Sequence, residues 1–426
     1  MSTSRRAIVT RRRRSLFPDE PVPRGPSAPY VMRGAEIAGG LVCGEDVTRE
    51  PLEAIPARPT DLTAVLERVL IPALERSPCL VGFSGGRDSS GVLAVAVHAA
   101  RRHGLPLPIP VTNRFPGSVD VDESDWQESV VRYLGLEEWA RLDITDELDI
   151  VGPVAGPFLR RFGVVWPPNS HFLIPHLANA EGGALVTGVG GDELFIPSAR
   201  RAARLLAREV RPSHGDLRIV AATLAPRAYQ TRRQRTKLPR LPWLRPVAAE
   251  AWVDAVADIH VPGSLWWGRT VIDDWWRSRE RLGLVQSLAA AAGEGVLVQH
   301  PFMHPEFLQA VAGAFWRTGF PSRKAAMDLL FGGLLPEAIR ERTDKAAFFQ
   351  PFVHRHSRAF IASWDGGGVD TELVDVDGLR RTWEEPMVDA RSYALLQSAW
   401  LASLKARPET LTDAGAARTI NSKVDD

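Results

Sequence analysis

The sequence predicts an α/β fold: a parallel sheet of about five strands with helices on both faces, followed by a mainly helical C-terminal part. Two observations carry this. The first is the apolar run Cys79-Leu80-Val81-Gly82-Phe83, which passes into Ser84-Gly85-Gly86-Arg87-Asp88-Ser89-Ser90 and then into a helix-compatible stretch over 91–97. That order is strand, glycine loop, helix. The second is the alternation that follows. Residues 108–112 read as a strand kept short by prolines, 125–134 as a helix, 139–144 as a strand, 170–178 as a helix and 184–187 as a strand. Such alternation implies parallel strands joined by crossover helices. Upstream, Leu62, Val65, Leu66, Val69, Leu70 and Leu74 recur at helical spacing. After Phe195 the strand patterns stop, and residues 252–404 read as mostly helical.

Composition narrows the class. In 426 residues, 45% are hydrophobic and 24% charged, as in ordinary globular chains. No apolar run approaches the ~18–20 residues of a membrane span. With 52 Lys+Arg against 51 Asp+Glu the net charge is +1, which argues against whole-chain binding to nucleic acid. Two cysteines, Cys43 and Cys79, make neither a disulfide scaffold nor a Cys-x-x-Cys site. The Arg-rich N-terminus has no apolar segment after it, so it is not a secretory signal, and cytoplasm is the expected compartment.

Three units are expected. Residues 1–60 are rich in Arg, Pro and Gly and read as an N-terminal extension, an arm or loosely packed segment. Residues 61–405 form the main domain, and 406–426 a tail. Residues 200–245 hold thirteen basic residues against Glu209 and Asp216. They read as basic helices, either a solvated face or a surface for an acidic partner.

The loop Ser84 to Ser89 offers backbone N–H groups and a helix N-terminus to an anion. Its glycines permit close approach and positive φ. Asp88 would repel a bare anion, but it fits a site where a divalent cation sits between carboxylate and phosphates. Gly190-Gly191-Asp192-Glu193 also follows a strand. In open α/β sheets ligands bind beyond the carboxyl ends of the strands. Asp88 and Asp192 can therefore approach one Mg²⁺ from neighbouring strand ends.

The loop lacks the Gly-Lys-Ser/Thr ending of a Walker A sequence. Instead the chain resembles the PP-loop ATP pyrophosphatases, and within them the synthetase domain of the asparagine synthetase family. The match rests on Ser84-Gly85-Gly86-Arg87-Asp88-Ser89 and on Gly188-Val189-Gly190-Gly191-Asp192-Glu193-Leu194-Phe195. Pro301-Phe302 and Leu335-Pro336 with Arg342 and Lys345 follow in the expected order. The resemblance implies ATP and Mg²⁺ as cofactors. It implies attack of a substrate carboxylate on the α-phosphorus, giving an acyl-adenylate and pyrophosphate, then displacement of AMP by an amine. It places nucleotide on Ser84, Gly85, Gly86, Arg87, Asp88, Ser89, Val111, Gly188, Gly190 and Gly191. It places metal on Asp88 and Asp192, and catalytic roles on Lys345, Arg342 and Lys324.

Three departures from the family shape the expected substrate. Ser2, not Cys, follows Met1, so no glutamine hydrolysis is expected. Leu297 and His304 stand where the family carries acidic residues, so the acceptor pocket has changed. His300 and His304 have the spacing of a zinc pair, but Pro301 and Pro305 argue for packed or pocket-lining histidines. Six of the 13 Trp fall at Trp243, Trp252, Trp266, Trp267, Trp275 and Trp276. Some are core, and some are expected to line a groove for a bulky or peptide-like acceptor.

The expected function is an ATP-dependent, amide-forming synthetase without glutaminase activity, in a setting similar to lasso-peptide cyclases and β-lactam synthetases. Expected partners are a small-molecule or peptide carboxylate with an amine acceptor, and by resemblance a precursor peptide and a leader-processing protease. No membrane and no nucleic-acid partner is expected. The competing readings are a PP-loop enzyme acting on tRNA, an ammonia-dependent asparagine synthetase-like enzyme and a non-catalytic nucleotide-binding relative.

Overall fold

Alternation along short apolar strands sorts side chains into two layers. In the computed structural model, which describes residues 28–116, 123–195, 201–261, 263–342 and 352–406, this sorting builds the centre of the molecule. The strands are β1 (Cys79–Gly82), β2 (Ile109–Arg114), β3 (Ala140–Asp143), β4 (Ala184–Val186) and β5 (Leu297–Gln299). They pair in parallel in the order β3-β2-β1-β4-β5. Cys79, Val81, Ala184 and Val186 face one core, and Leu80, Val111, Leu142 and Leu185 the other. Helices Leu62–Leu74, Arg87–His103, Pro305–Ala314 and Arg323–Phe331 cover the first face. Helices Ile174–Asn179 and Arg279–Ala292 lie on the second.

The first four strands fall where the sequence places them. The fifth corrects the expectation that strands end at Phe195. It spans only three residues and pairs in register with β4, Leu185 opposite Val298. So short a run, followed directly by His300-Pro301, carries no periodicity of its own.

A second, mostly helical core holds Trp243, Trp252, Trp364, Trp383 and Leu396. Residues 28–58 belong to the body, correcting the loose packing expected of them. Helix Ala35–Gly39 packs there, and Trp243 and Trp252 donate their indole N–H groups to the carbonyls of Ala38 (2.9 Å) and Gly39 (3.0 Å). Glu36 and Arg279, both fully buried, are bound to each other and to Tyr30. Such a group is costly to break from one side only.

The tryptophans divide. Trp243, Trp252 and Trp267 are core residues. Trp275 and Trp276 end a π-helical turn, Val271–Trp275, and turn to different partners. Arg281 stacks on Trp275 at 4.1 Å and Arg49 on Trp276 at 3.9 Å. In the basic block, Arg227 pairs with Asp258 at 3.0 Å, and Arg235 with Glu250 and Asp254. Among the described residues no helix is long and apolar enough to cross a membrane.

Three histidines are buried in neutral form: burial pushes His171, His176 and His300 down to about 4. The ordinary value is about 6.5. The unfolded chain therefore binds protons that the folded chain refuses. These residues contribute stability that is complete above pH 6.5 and lost as pH falls toward 4. Urea midpoints across that window should fall with decreasing pH, with up to three protons taken up on unfolding. A pH-independent midpoint would contradict this.

Candidate active site at the switch point of the sheet

The strand order reverses between β1 and β4. At such a point the two crossovers diverge and open a crevice beyond the carboxyl ends. Both glycine-rich loops lie there. They line one cleft of about 420 Å³ with Thr112, Asn113, Glu123, Gln127, His176, Arg323 and Arg342.

The first loop leaves β1 at Phe83, whose N–H donates to the Val111 carbonyl at 2.8 Å. It is closed by its own serines. Ser84 N–H donates to Ser89 Oγ (3.2 Å), Gly86 N–H to Ser84 Oγ (3.3 Å), and Ser89 Oγ–H to the Gly86 carbonyl (3.1 Å). Gly85 takes φ +85°, and a Cβ there would sit 2.8 Å from Gln127 Cγ. Gln127 holds the loop from the helix Ser124–Leu134, donating to the Ser84 carbonyl at 3.0 Å. The helix Arg87–His103 thus starts at the cleft, with Arg87, Asp88 and Ser89 in its lining.

The second loop leaves β4 at Thr187 and lies against the first. A Cβ on Gly188 would come 3.0 Å from the Ser89 backbone nitrogen, and one on Gly191 would come 2.6 Å from Asp88 Cγ. Gly190, at φ +93°, is backed by Met303. Phe302, fully buried, meets Phe195 edge-on at 4.9 Å. The Pro301-Phe302 motif therefore supports the second loop from behind. His300 sits beneath it too, its Nδ1 hydrogen-bonded to Thr187 Oγ1 at 2.6 Å. Among the described residues no group of three or more His, Cys, Asp and Glu could hold a metal ion, so the histidine pair completes no such set.

Asp88 and Asp192 meet on one cation. Arg323 Nη2 lies 2.5 Å from Asp88 Oδ2 and 3.1 Å from Asp192 Oδ1. Two carboxylates that share one guanidinium nitrogen can share a divalent ion, and the glycine cradle leaves room for phosphates beside it. The residues present therefore fit Mg²⁺ and a polyphosphate. Arg342 is buried, with Nη2 at 2.8 Å from Glu123 Oε1 and Nη1 donating to the Gly85 carbonyl at 3.3 Å. Burial, and then the nearby Arg323 charge, lower Arg87 below its ordinary value.

Gly85, Gly190 and Gly191 belong to the two loops but not to the cleft lining, and two chosen side chains land elsewhere. Lys324 is absent from the cleft lining and pairs with Asp328 (2.6 Å) and Glu341 (3.0 Å). Ser322 caps this helix, accepting from Ala325 N–H at 3.0 Å. That cap makes Arg323 the first helical residue, and the next side chain points ~100° away. Val111 is fully buried in the sheet, and its neighbours Thr112 and Asn113 face the cleft instead. Lys345 lies outside the described residues.

Sequence reasoning also missed His176. Asn113 donates its amide to the Phe172 carbonyl at 3.2 Å, so its Oδ1 accepts from His176 Nε2 at 3.0 Å. His176 Nδ1 is then a buried acceptor with no partner among the described residues. Both cysteines lie outside the cleft lining. Both are buried, and burial pushes the Cys79 thiol up to about 12.

No functionally curated protein matches the chain. The family whose description is Asparagine synthase matches residues 68–406, well over half of the sequence, and takes in both glycine loops, the Pro301-Phe302 support and Arg342. An ATP-dependent, amide-forming synthetase domain agrees with that match and with the switch-point cleft: the chain belongs to the asparagine synthase family.

Proposed function

We propose that this protein adenylates a substrate carboxylate and passes the acyl group to an amine, in specialised metabolism such as lasso-peptide macrolactam formation. The observation that supports it most is the meeting of two glycine loops with Asp88 and Asp192 on one cation. ATP is a substrate in this reading. A carboxylate oxygen bonds to the α-phosphorus and the bond to pyrophosphate breaks. The amine nitrogen then bonds to the acyl carbon, AMP leaves, and the nitrogen loses a proton.

The chain's residues have distinct tasks. The Ser84–Ser89 loop and the helix behind it hold the leaving pyrophosphate by backbone N–H groups, which need no reorganisation as charge develops. His176 Nδ1 offers a fixed acceptor inside the cleft. Asp88 and Asp192 would hold Mg²⁺, which would supply positive charge to the phosphate oxygens. Lys345 is proposed to steady the reacting centre. Leu297 and His304 support an acceptor other than the family's usual one, and a precursor peptide is the proposed source of both acid and amine.

Pyrophosphate release tests this reading. The protein with ATP and Mg²⁺ is presented with a panel of amino acids, small carboxylates and peptides bearing a side-chain carboxylate and a free N-terminus, and products are weighed by mass spectrometry. A peptide that releases pyrophosphate and loses one water supports the macrolactam reading. Release with a free amino acid alone would replace the peptide, and no release with any carboxylate would sink the adenylation step.

A further inference from the structure

We propose that Arg323 is a built-in counter-cation that occupies the metal carboxylates until a divalent ion arrives and then turns to the polyphosphate. This rests on the reading of the cleft as an ATP and Mg²⁺ site. Arg323 Nη2 bridges Asp88 and Asp192 at 2.5 and 3.1 Å, the place between two carboxylates that a divalent cation needs. Both cannot be there at once. Yet this pose leaves the guanidinium incompletely satisfied. Arg323 Nε is buried with no partner among the described residues. Phosphate oxygens would satisfy it, and a guanidinium fork suits them.

The surroundings allow the side chain to move while its base stays fixed. Arg323 is the first residue of a helix whose cap is closed by Ser322, and Met327 and Leu330 of that helix are anchored in the core. Lys324 cannot substitute, being tied to Asp328 and Glu341. Charge in the cleft agrees. Arg87, Arg323 and Arg342 stand against Asp88, Asp192 and Glu123. Arg342 is committed to Glu123 and Gly85, so Arg323 is the guanidinium that metal binding would release toward a polyanion. Metal and nucleotide would then bind cooperatively, because each relieves what the other must overcome.

Mn²⁺ binding followed by electron paramagnetic resonance, with and without a non-hydrolysable ATP analogue, tests this on the full chain. The Arg323→Ala protein should bind Mn²⁺ without nucleotide about 10-fold more tightly than wild type, within the usual range of coupling between sites. It should bind the analogue more weakly and show little of the wild-type cooperativity. Arg323→Lys, which keeps the charge but loses the fork, should fall between. Near-UV circular dichroism reports the fold, and Arg323→Gln carries the same test should the alanine variant not fold. Unchanged or weaker Mn²⁺ binding in the variants, with normal Mn²⁺ binding to wild type plus analogue, would overturn the role of Arg323 alone. Wild type that binds no Mn²⁺ even with analogue would overturn both this role and the metal-site reading.

Discussion

Asp88→Asn should lower pyrophosphate release about a thousandfold, the upper end of what removing one preorganised electrostatic group costs. The substitution keeps the side chain's size, so the packing of Gly191 against it, where a Cβ would come 2.6 Å from Asp88 Cγ, is preserved. What disappears is half of the negative charge that gathers a cation at the switch point. Asp192 alone is a poor substitute because it is half exposed, and a single carboxylate on the surface holds an ion weakly. The effect should fall on turnover and on the Mg²⁺ concentration required, with the thermal midpoint close to wild type. Steady-state pyrophosphate release across a Mg²⁺ series would check it. A variant within about threefold of wild type at every Mg²⁺ concentration would remove Asp88 from the chemistry.

The parts of this molecule legible in the sequence are those whose signal is local. β1 and β4 announce themselves by unbroken apolar runs, and the loops after them by glycines that the structure then requires. Gly85 and Gly190 have positive φ, and Gly188 and Gly191 have no room for a side chain. What stayed hidden depends on partners distant in the chain. β5 is three residues long and becomes a strand only because β4 offers an edge. Residues 28–58 look like a linker by composition, but their carbonyls cap tryptophans some 200 residues away. Arg323 and Lys324 are indistinguishable as neighbours in a sequence. Only the start of the helix at Arg323 decides which one enters the cleft. His176 gave no motif at all; its role follows from Asn113 on another strand. The tryptophan cluster was legible as a cluster but not as a site, since three of its members serve as core.

Arg342 is where stability and nucleotide binding should be lost together, and where they can be separated. Its guanidinium and the Glu123 carboxylate are both nearly inaccessible to water, at 5% and 3% exposure. The same guanidinium lies over Trp126 at 4.9 Å and donates to the Gly85 carbonyl, inside the phosphate loop. Arg342→Met therefore removes the loop's anchor and strips a buried carboxylate of its guanidinium. Breaking a buried pair from one side costs about 3–5 kcal/mol. Unfolding in urea should show a loss of that order, and calorimetry should show weakened ATP binding even well below the unfolding transition. Adding Glu123→Gln to Arg342→Met takes away the buried carboxylate's charge. The double variant should regain most of the stability, because replacing both members of a buried pair is often nearly neutral. It should not regain ATP affinity, because the Gly85 carbonyl still lacks its donor and the loop its anchor. A double variant that recovers both would assign Arg342 to structure alone. A single variant losing under about 1 kcal/mol would mean that the pair behaves like one at the surface, despite its burial.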